Sequence, residues 1–290
     1  MLPFYGDPAY LDQAVASVIG QDDPAWRLII VDDAYPDAVA AERWAGQADG
    51  RIRCHRNPTN LGVVGNFRRC LELAEAELVV FFGGDDVMAP NYVRVIRQAA
   101  ARFPQAAIIQ PGVDVIDGRG QPVRAGLGDL VKRAMRPRGH RPVLLAGQAL
   151  AVSLLRGDWL YWPSLAFRRS ALAGRDFRDD STIVLDLALI LDIVGDGGGL
   201  LYYPETCFAY RRHAASVSSA AAVGGPRFGD EARYFRTVAD AMSALGWAKA
   251  SAAARWHITS RLHALSLVPG ALRRSGRRQL LDLLRHVVGR

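Results

Sequence analysis

The sequence predicts an α/β fold: a mostly parallel central sheet flanked by helices, followed by a helical C-terminal extension. Three observations carry that expectation. Short, continuously apolar runs such as 28–31 and 78–82 have the character of strands buried on both faces. Segments with apolar residues three and four apart separate them, so strand and helix alternate with short connections. Two of the apolar runs end in acidic pairs, Asp32-Asp33 and Asp85-Asp86. Ligands of parallel sheets bind beyond the carboxyl ends of the strands, which makes both pairs candidate site residues.

Taken in order, Leu2-Pro3-Phe4-Tyr5 reads as the end of a first strand. A helix follows over 10–20, with Leu11, Val15, Val18 and Ile19 at helical spacing. Strands are expected at 28–31, 52–55, 78–82 and 107–110, and helices at 38–48, 64–76 and 91–102. The stretch 118–142 is rich in glycine, proline and arginine and reads as a loop holding a short helix at 127–135. Helices are expected at 144–155 and 183–194, a strand at 200–203, and a small, polar linker at 216–229. Residues 230–290 are helical in pattern, with breaks near Gly246 and at Pro269-Gly270.

Composition narrows the class. Of 290 residues, 50% are hydrophobic and 22% charged, the balance of an ordinary globular chain. No run approaches the roughly 18 apolar residues of a membrane span, and the start lacks the pattern of a signal peptide. The three cysteines, Cys54, Cys70 and Cys207, are far apart and imply neither a zinc site nor a disulfide framework, so a cytoplasmic setting is expected. The net charge is +7, and residues 255–290 carry eight arginines and one aspartate, which is 8 − 1 = +7 alone. The remainder is near neutral, so no nucleic-acid partner is expected. The tail 271–290 could form a basic, imperfectly amphipathic helix that meets an anionic membrane, such as the inner face of the plasma membrane.

A carboxylate at a strand end can accept hydrogen bonds from ribose hydroxyls or a uracil-type N–H, and Tyr5 is placed to lie against a base. Adjacent carboxylates such as Asp85 and Asp86 can hold Mn2+ or Mg2+ while a diphosphate completes the shell. Gly83 and Gly84 permit the tight turn this needs. A glycine-rich phosphate loop is absent after the first strand, where Tyr5-Gly6-Asp7-Pro8 stands. That disfavours a nucleotidyltransferase or a dinucleotide oxidoreductase.

In this order the motifs resemble the inverting glycosyltransferase family 2, with its GT-A type nucleotide-sugar fold. The resemblance covers residues 1–218. It rests on Leu2-Pro3-Phe4-Tyr5, Ser17 to Gln21, Val31-Asp32-Asp33, Asn60-Leu61-Gly62 with Asn66, Phe82 to Asp86 followed by Pro90, and Tyr210-Arg211-Arg212-His213 with Ser216 and Ser218. It implies a nucleotide-diphosphate sugar donor and a carbohydrate or lipid-linked acceptor in cell-envelope glycan synthesis. Asp33 would contact the base, with Asp32, Pro3, Tyr5, Asn60, Gly62 and Asn66 around the nucleotide. Asp86 would be the main metal ligand, with Asp85 near ribose or metal. His213 and Arg211 could approach metal or diphosphate when a loop closes. The first carboxylate of the family's acidic triplet is Gly83 here, which keeps open a catalytically impaired, sugar-nucleotide-binding protein.

Inverting transfer needs a base for the acceptor hydroxyl. The best match to the family's second acidic motif is Leu185-Asp186-Leu187, with Asp179 and Asp180 as alternatives. Trp162 and Arg168 are candidates for the acceptor or phosphate side. The expected organisation is a catalytic domain at 1–218 and a basic helical extension at 219–290. Within the catalytic domain, residues 1–117 would bind the nucleotide and residues 118–218 would form the acceptor side.

Overall fold

The computed structural model describes residues 1–48, 50–123, 127–178, 185–213, 226–262, 264, 265, 268 and 283. The first half alternates strand and helix: β1 (Leu2–Phe4), α1 (Pro8–Ile19), β2 (Leu28–Asp32), α2 (Val39–Glu42), β3 (Ile52–Arg56), α3 (Gly62–Glu72), β4 (Leu78–Val80) and β5 (Val87–Met88). Then come α4 (Tyr92–Arg102), β6 (Ala106–Asp117), α5 (Leu127–Met135), β7 (Val143–Leu145) and α6 (Gly147–Arg156). A 3₁₀ turn at Trp162–Ser164 leads to β8 (Ala166–Arg168), α7 (Arg169–Leu172), α8 (Leu185–Gly195) and β9 (Gly199–Arg212). Last are α9 (Pro226–Ala244) and α10 (Ala248–Trp256).

Strands β1, β2 and β3 pair in parallel. A second sheet runs β4-β8-β6-β9-β5, with β7 also on β9. There β6 and β9 are parallel, while β8, β5 and β7 run antiparallel to their neighbours. The two sheets adjoin at β1. The Met1 amino group donates to the Val80 carbonyl at 2.8 Å, and the Phe82 N–H donates to the Met1 carbonyl at 2.8 Å. The ends of β2 and β4 thus flank β1, and the two acidic pairs meet there.

Several expectations shift in detail. The predicted strand at 200–203 continues to Arg212, because β9 follows β6 along nearly its whole length, with irregular register at Gly112. A Cβ at Gly112 would lie 2.8 Å from the Pro204 carbonyl oxygen, so only glycine permits that crossing. The helix expected from residue 144 begins at Gly147, since Val143–Leu145 pair with β9 instead. The helix expected over 38–48 shortens to Val39–Glu42.

Two apolar cores fill the faces. One centres on α1 and α4, the other on α6 and α8. α8 is apolar on nearly every side and correspondingly buried, interrupted by Asp186 and Asp192. Tyr234, Val238, Ala250 and Ala254 join that second core, so α9 and α10 pack as an integral layer of the body. Among the described residues no helix is long and apolar enough to cross a membrane. Most of the expected linker 216–229 and nearly all of the tail 271–290 lie outside the described residues.

Candidate active site

The loop after β2 is built around two buried carboxylates. Asp32 accepts a hydrogen bond from the Tyr35 N–H at 2.8 Å and pairs with the guanidinium of Arg56. Arg56 also donates to the Tyr35 carbonyl at 2.8 Å. Between the two, Ala34 adopts a left-handed φ of 55°, an uncommon state for a residue with a Cβ. Asp32 therefore shapes the loop, and Arg56, which sequence reasoning missed, clamps it.

Asp33 is held from the other side. Its Oδ1 accepts from the Asn57 side-chain amide at 2.9 Å and from the Leu61 N–H at 2.8 Å. Asn57 donates to Asn66 at 3.0 Å, and Asn66 donates to the Val31 carbonyl at 3.1 Å. Asn66 is thus a buried strut beneath Asp33. Asn60 is exposed and accepts from the Gly62 N–H at 2.9 Å, and Gly62 takes φ 71° to open α3. Beyond β1, Tyr5 is 58% exposed and meets the Tyr35 ring edge-on at 5.6 Å. Pro3 lies on β1 opposite Val31, and the Gly84 turn passes over it.

The second pair splits inward and outward. Asp86 is 1% exposed, and its Oδ1 accepts from the Arg211 backbone N–H at 2.8 Å. Its Oδ2 is buried without a hydrogen-bond partner. Burial, and then the neighbouring Asp85 carboxylate, push the Asp86 carboxyl well above the usual range. Asp85 is the member that reaches the surface, and its Oδ2 lies 2.9 Å from His213 Nε2. Asp86, expected as the main metal ligand, points inward here and Asp85 outward, because the tight turn sends adjacent side chains in opposite directions. The departure at Gly83 has the same origin. A Cβ there would sit 2.5 Å from Asp86 Oδ2, so the inward carboxylate occupies that room.

Arg211, expected to approach metal or diphosphate when a loop closes, is held inside the body in this structure. It lies on β9, fully buried, over the Tyr10 ring. It donates to the Asp85 carbonyl at 2.6 Å and Gln13 Oε1 at 2.8 Å, with longer contacts to the Asp117 and Gly118 carbonyls. It is a rivet under the acidic turn. Arg211→Met is expected to destabilise the fold by about 3 kcal/mol or more, since buried acceptors lose their donor. Urea unfolding measures this.

Arg168 is likewise corrected. It pairs with Glu77 at 2.9 Å and donates to the Ala106 and Ala100 carbonyls, opposite the start of β4 and away from the acidic ends. Trp162 stacks on Phe81 at 5.5 Å and packs with Phe67, Phe167 and Phe177. It is core packing under the turn rather than an open sugar platform.

Asp186 stands in the first turn of α8 and keeps an accessible edge although protein surrounds it. Its carboxyl is raised by burial first and by the nearby Asp158 carboxylate second, against the lowering effect of Lys132. Lys132 and Asp158 both bond to the backbone of Leu160. Lys132 Nζ donates to the Leu160 carbonyl at 2.5 Å, and the Leu160 N–H donates to Asp158 at 2.9 Å. Lys132 also lies over the Tyr161 ring at 4.5 Å. Three residues earlier on α5, Asp129 pairs with Arg212, the neighbour of His213. One face of α5 therefore ties the Asp186 cluster to the Asp85–His213 pair. Asp158 and Lys132 were missed in sequence, where nothing marks them as partners of a residue over fifty positions away or nearly thirty. Asp179 and Asp180, the alternatives to Asp186, lie outside the described residues.

Beside this cluster is a hollow of about 200 Å³, with Lys132, Arg133, Arg136 and Tyr161 in its wall. A larger apolar groove, lined by Leu28, Leu78 and Ile96, lies at the amino ends of β2 and β4, opposite the carboxylates.

The parallel sheet, its flanking helices and the helical C-terminal layer make a fold of the GT-A type. The model of glycosyl transferase family 2 matches residues 1–152, and the chain belongs to that family. It is similar to an uncharacterized protein of Mycobacterium tuberculosis (strain CDC 1551 / Oshkosh), 26% identical over 228 residues, covering 75% of this chain and 67% of that protein. The crystal structure of S. aureus TarS 1–349 with UDP-GlcNAc superposes with a TM-score of 0.70 at 15% identity, over 99% of this chain and 80% of that one. The same protein with UDP gives 0.58 at 12% identity, over 99% and 89%. At such identities the likeness shows the shared fold.

Proposed function

We propose that this protein transfers a sugar from a uridine-diphosphate sugar to an acceptor hydroxyl with inversion at the anomeric carbon. The observation that carries it is the convergence, on adjoining strand ends, of the braced Asp33 and the outward Asp85–His213 pair. Asp33 Oδ2, without a protein hydrogen bond among the described residues, accepts from the base, and Tyr5 covers the ring. The TarS complexes with UDP-GlcNAc and UDP support the choice of nucleotide.

A divalent cation, Mn2+ or Mg2+, fits the donors present. A carboxylate oxygen and an imidazole nitrogen face each other at 2.9 Å, and the orphaned Asp86 oxygen lies behind them. Among the described residues no three acidic, histidine or cysteine side chains converge, so Asp85 and His213 would share the ion with the diphosphate. When bound it offsets the charge growing on the departing nucleoside diphosphate.

Asp186 takes the proton of the acceptor hydroxyl as its oxygen bonds to the anomeric carbon. The bond from that carbon to the diphosphate breaks with its electron pair leaving on the nucleotide. Lys132 favours the ionised Asp186 carboxylate against burial and Asp158, and the neighbouring hollow receives the acceptor. We place catalysis in residues 1–218, with 219–290 as an extension, and the product in cell-envelope glycan or glycolipid synthesis.

The test is release of UDP from common uridine-diphosphate sugars by the purified chain with and without Mn2+. Metal-dependent release is expected with at least one donor. Tight donor binding with no turnover would instead favour the impaired donor-binding protein that Gly83 raised.

A further inference from the structure

We infer that the segment just beyond α10 is a membrane-docking face for anionic lipid. α10 ends at Trp256, and His257 breaks the helix with φ 26°. The backbone is helical again at 258–262 and at 264 and 265. Positions 258, 262 and 265 share one side of such a helix. That side points out: Trp256, Ile258, Leu262 and Leu265 are 63%, 50%, 59% and 49% exposed. The other side is docked, because Ala264 is fully buried and Ser260 donates to Glu231 at 2.5 Å. A soluble helix ordinarily turns its apolar stripe to the core; here the body holds the small and polar residues while the large apolar ones face away.

Charge selects the occupant. Arg255 and Arg261 border the stripe, and Arg261 lies 5.8 Å over the Trp256 ring. Residues 255–290 hold the chain's entire net charge of +7. A second copy docking face to face would set these like charges against each other. An anionic bilayer complements them, and tryptophan with aliphatic neighbours and arginine suits the headgroup boundary. The inference extends the lipid-linked acceptor reading, but its test uses no donor, so either can fail alone.

The full chain is sedimented with equimolar phosphatidylglycerol–phosphatidylcholine vesicles, and with phosphatidylcholine alone. Binding is expected only to the anionic vesicles, weakening with salt. The variant I258E/L262E should melt like the wild type yet bind about tenfold or more weakly, since it loses two exposed aliphatic side chains that would enter the bilayer and adds two negative charges. Equal binding by variant and wild type would overturn the inference. So would absence of wild-type binding, or a wild-type dimer in light scattering that the variant abolishes.

Discussion

Asp186→Asn should lower kcat by about 10²–10⁴-fold while leaving donor affinity unchanged, because a positioned base contributes that much and touches the acceptor side alone. The prediction has a pH signature. The Asp186 carboxyl is pushed up to about 6, and only its ionised form accepts a proton. Activity should therefore rise with pH through that region and level off above it. The neighbours move this limb in opposite directions. Lys132 favours the carboxylate, so Lys132→Met shifts the limb to higher pH; Asp158 disfavours it, so Asp158→Asn shifts it lower. A purely structural role for the pair would reduce stability without moving the limb. Stopped assays of kcat across pH read both effects.

The second large effect is at the outward pair. Asp85→Ala should cut kcat/KM by about 10²–10³-fold, the scale of losing one group that offsets transition-state charge. His213→Ala should fall in the same direction with a smaller effect, since Asp85 retains the charge. Both side chains keep exposed atoms and neither carries the core, so their melting temperatures should stay near the wild type. Assays at rising Mn2+ should partly rescue His213→Ala by mass action but not Asp85→Ala.

Much of this was legible in the sequence, for a physical reason. Strands buried on both faces must be apolar throughout, so 28–31 and 78–82 stood out, as did the acidic residues that end them. The 3.6-residue period exposed α1, α4 and α5, and α8 stood out as a long apolar run. Pairing was harder to see. β7 and the second half of β9 exist because β6 and β9 offer partners, and Val143–Leu145 read equally well as the start of a helix. At the site, position along the chain could not say which of two adjacent aspartates faces out, because a turn decides that. Arg211 and Arg168 looked like phosphate ligands, yet each satisfies buried carbonyls set by tertiary packing. Conversely, Arg56, Asn57 and Lys132 bond to partners distant in sequence, and Asp158 gains its role from Lys132 and Asp186.

The central claim is that Asp85 and His213 bind a nucleoside diphosphate through a divalent cation in front of Asp33. Calorimetric titration of UDP into the wild-type chain, with Mn2+ and with chelator, tests it most directly. The account predicts binding that is at least tenfold tighter with Mn2+, a gain absent in Asp85→Ala. Equal affinity with and without the metal, or the same gain in Asp85→Ala, would contradict it.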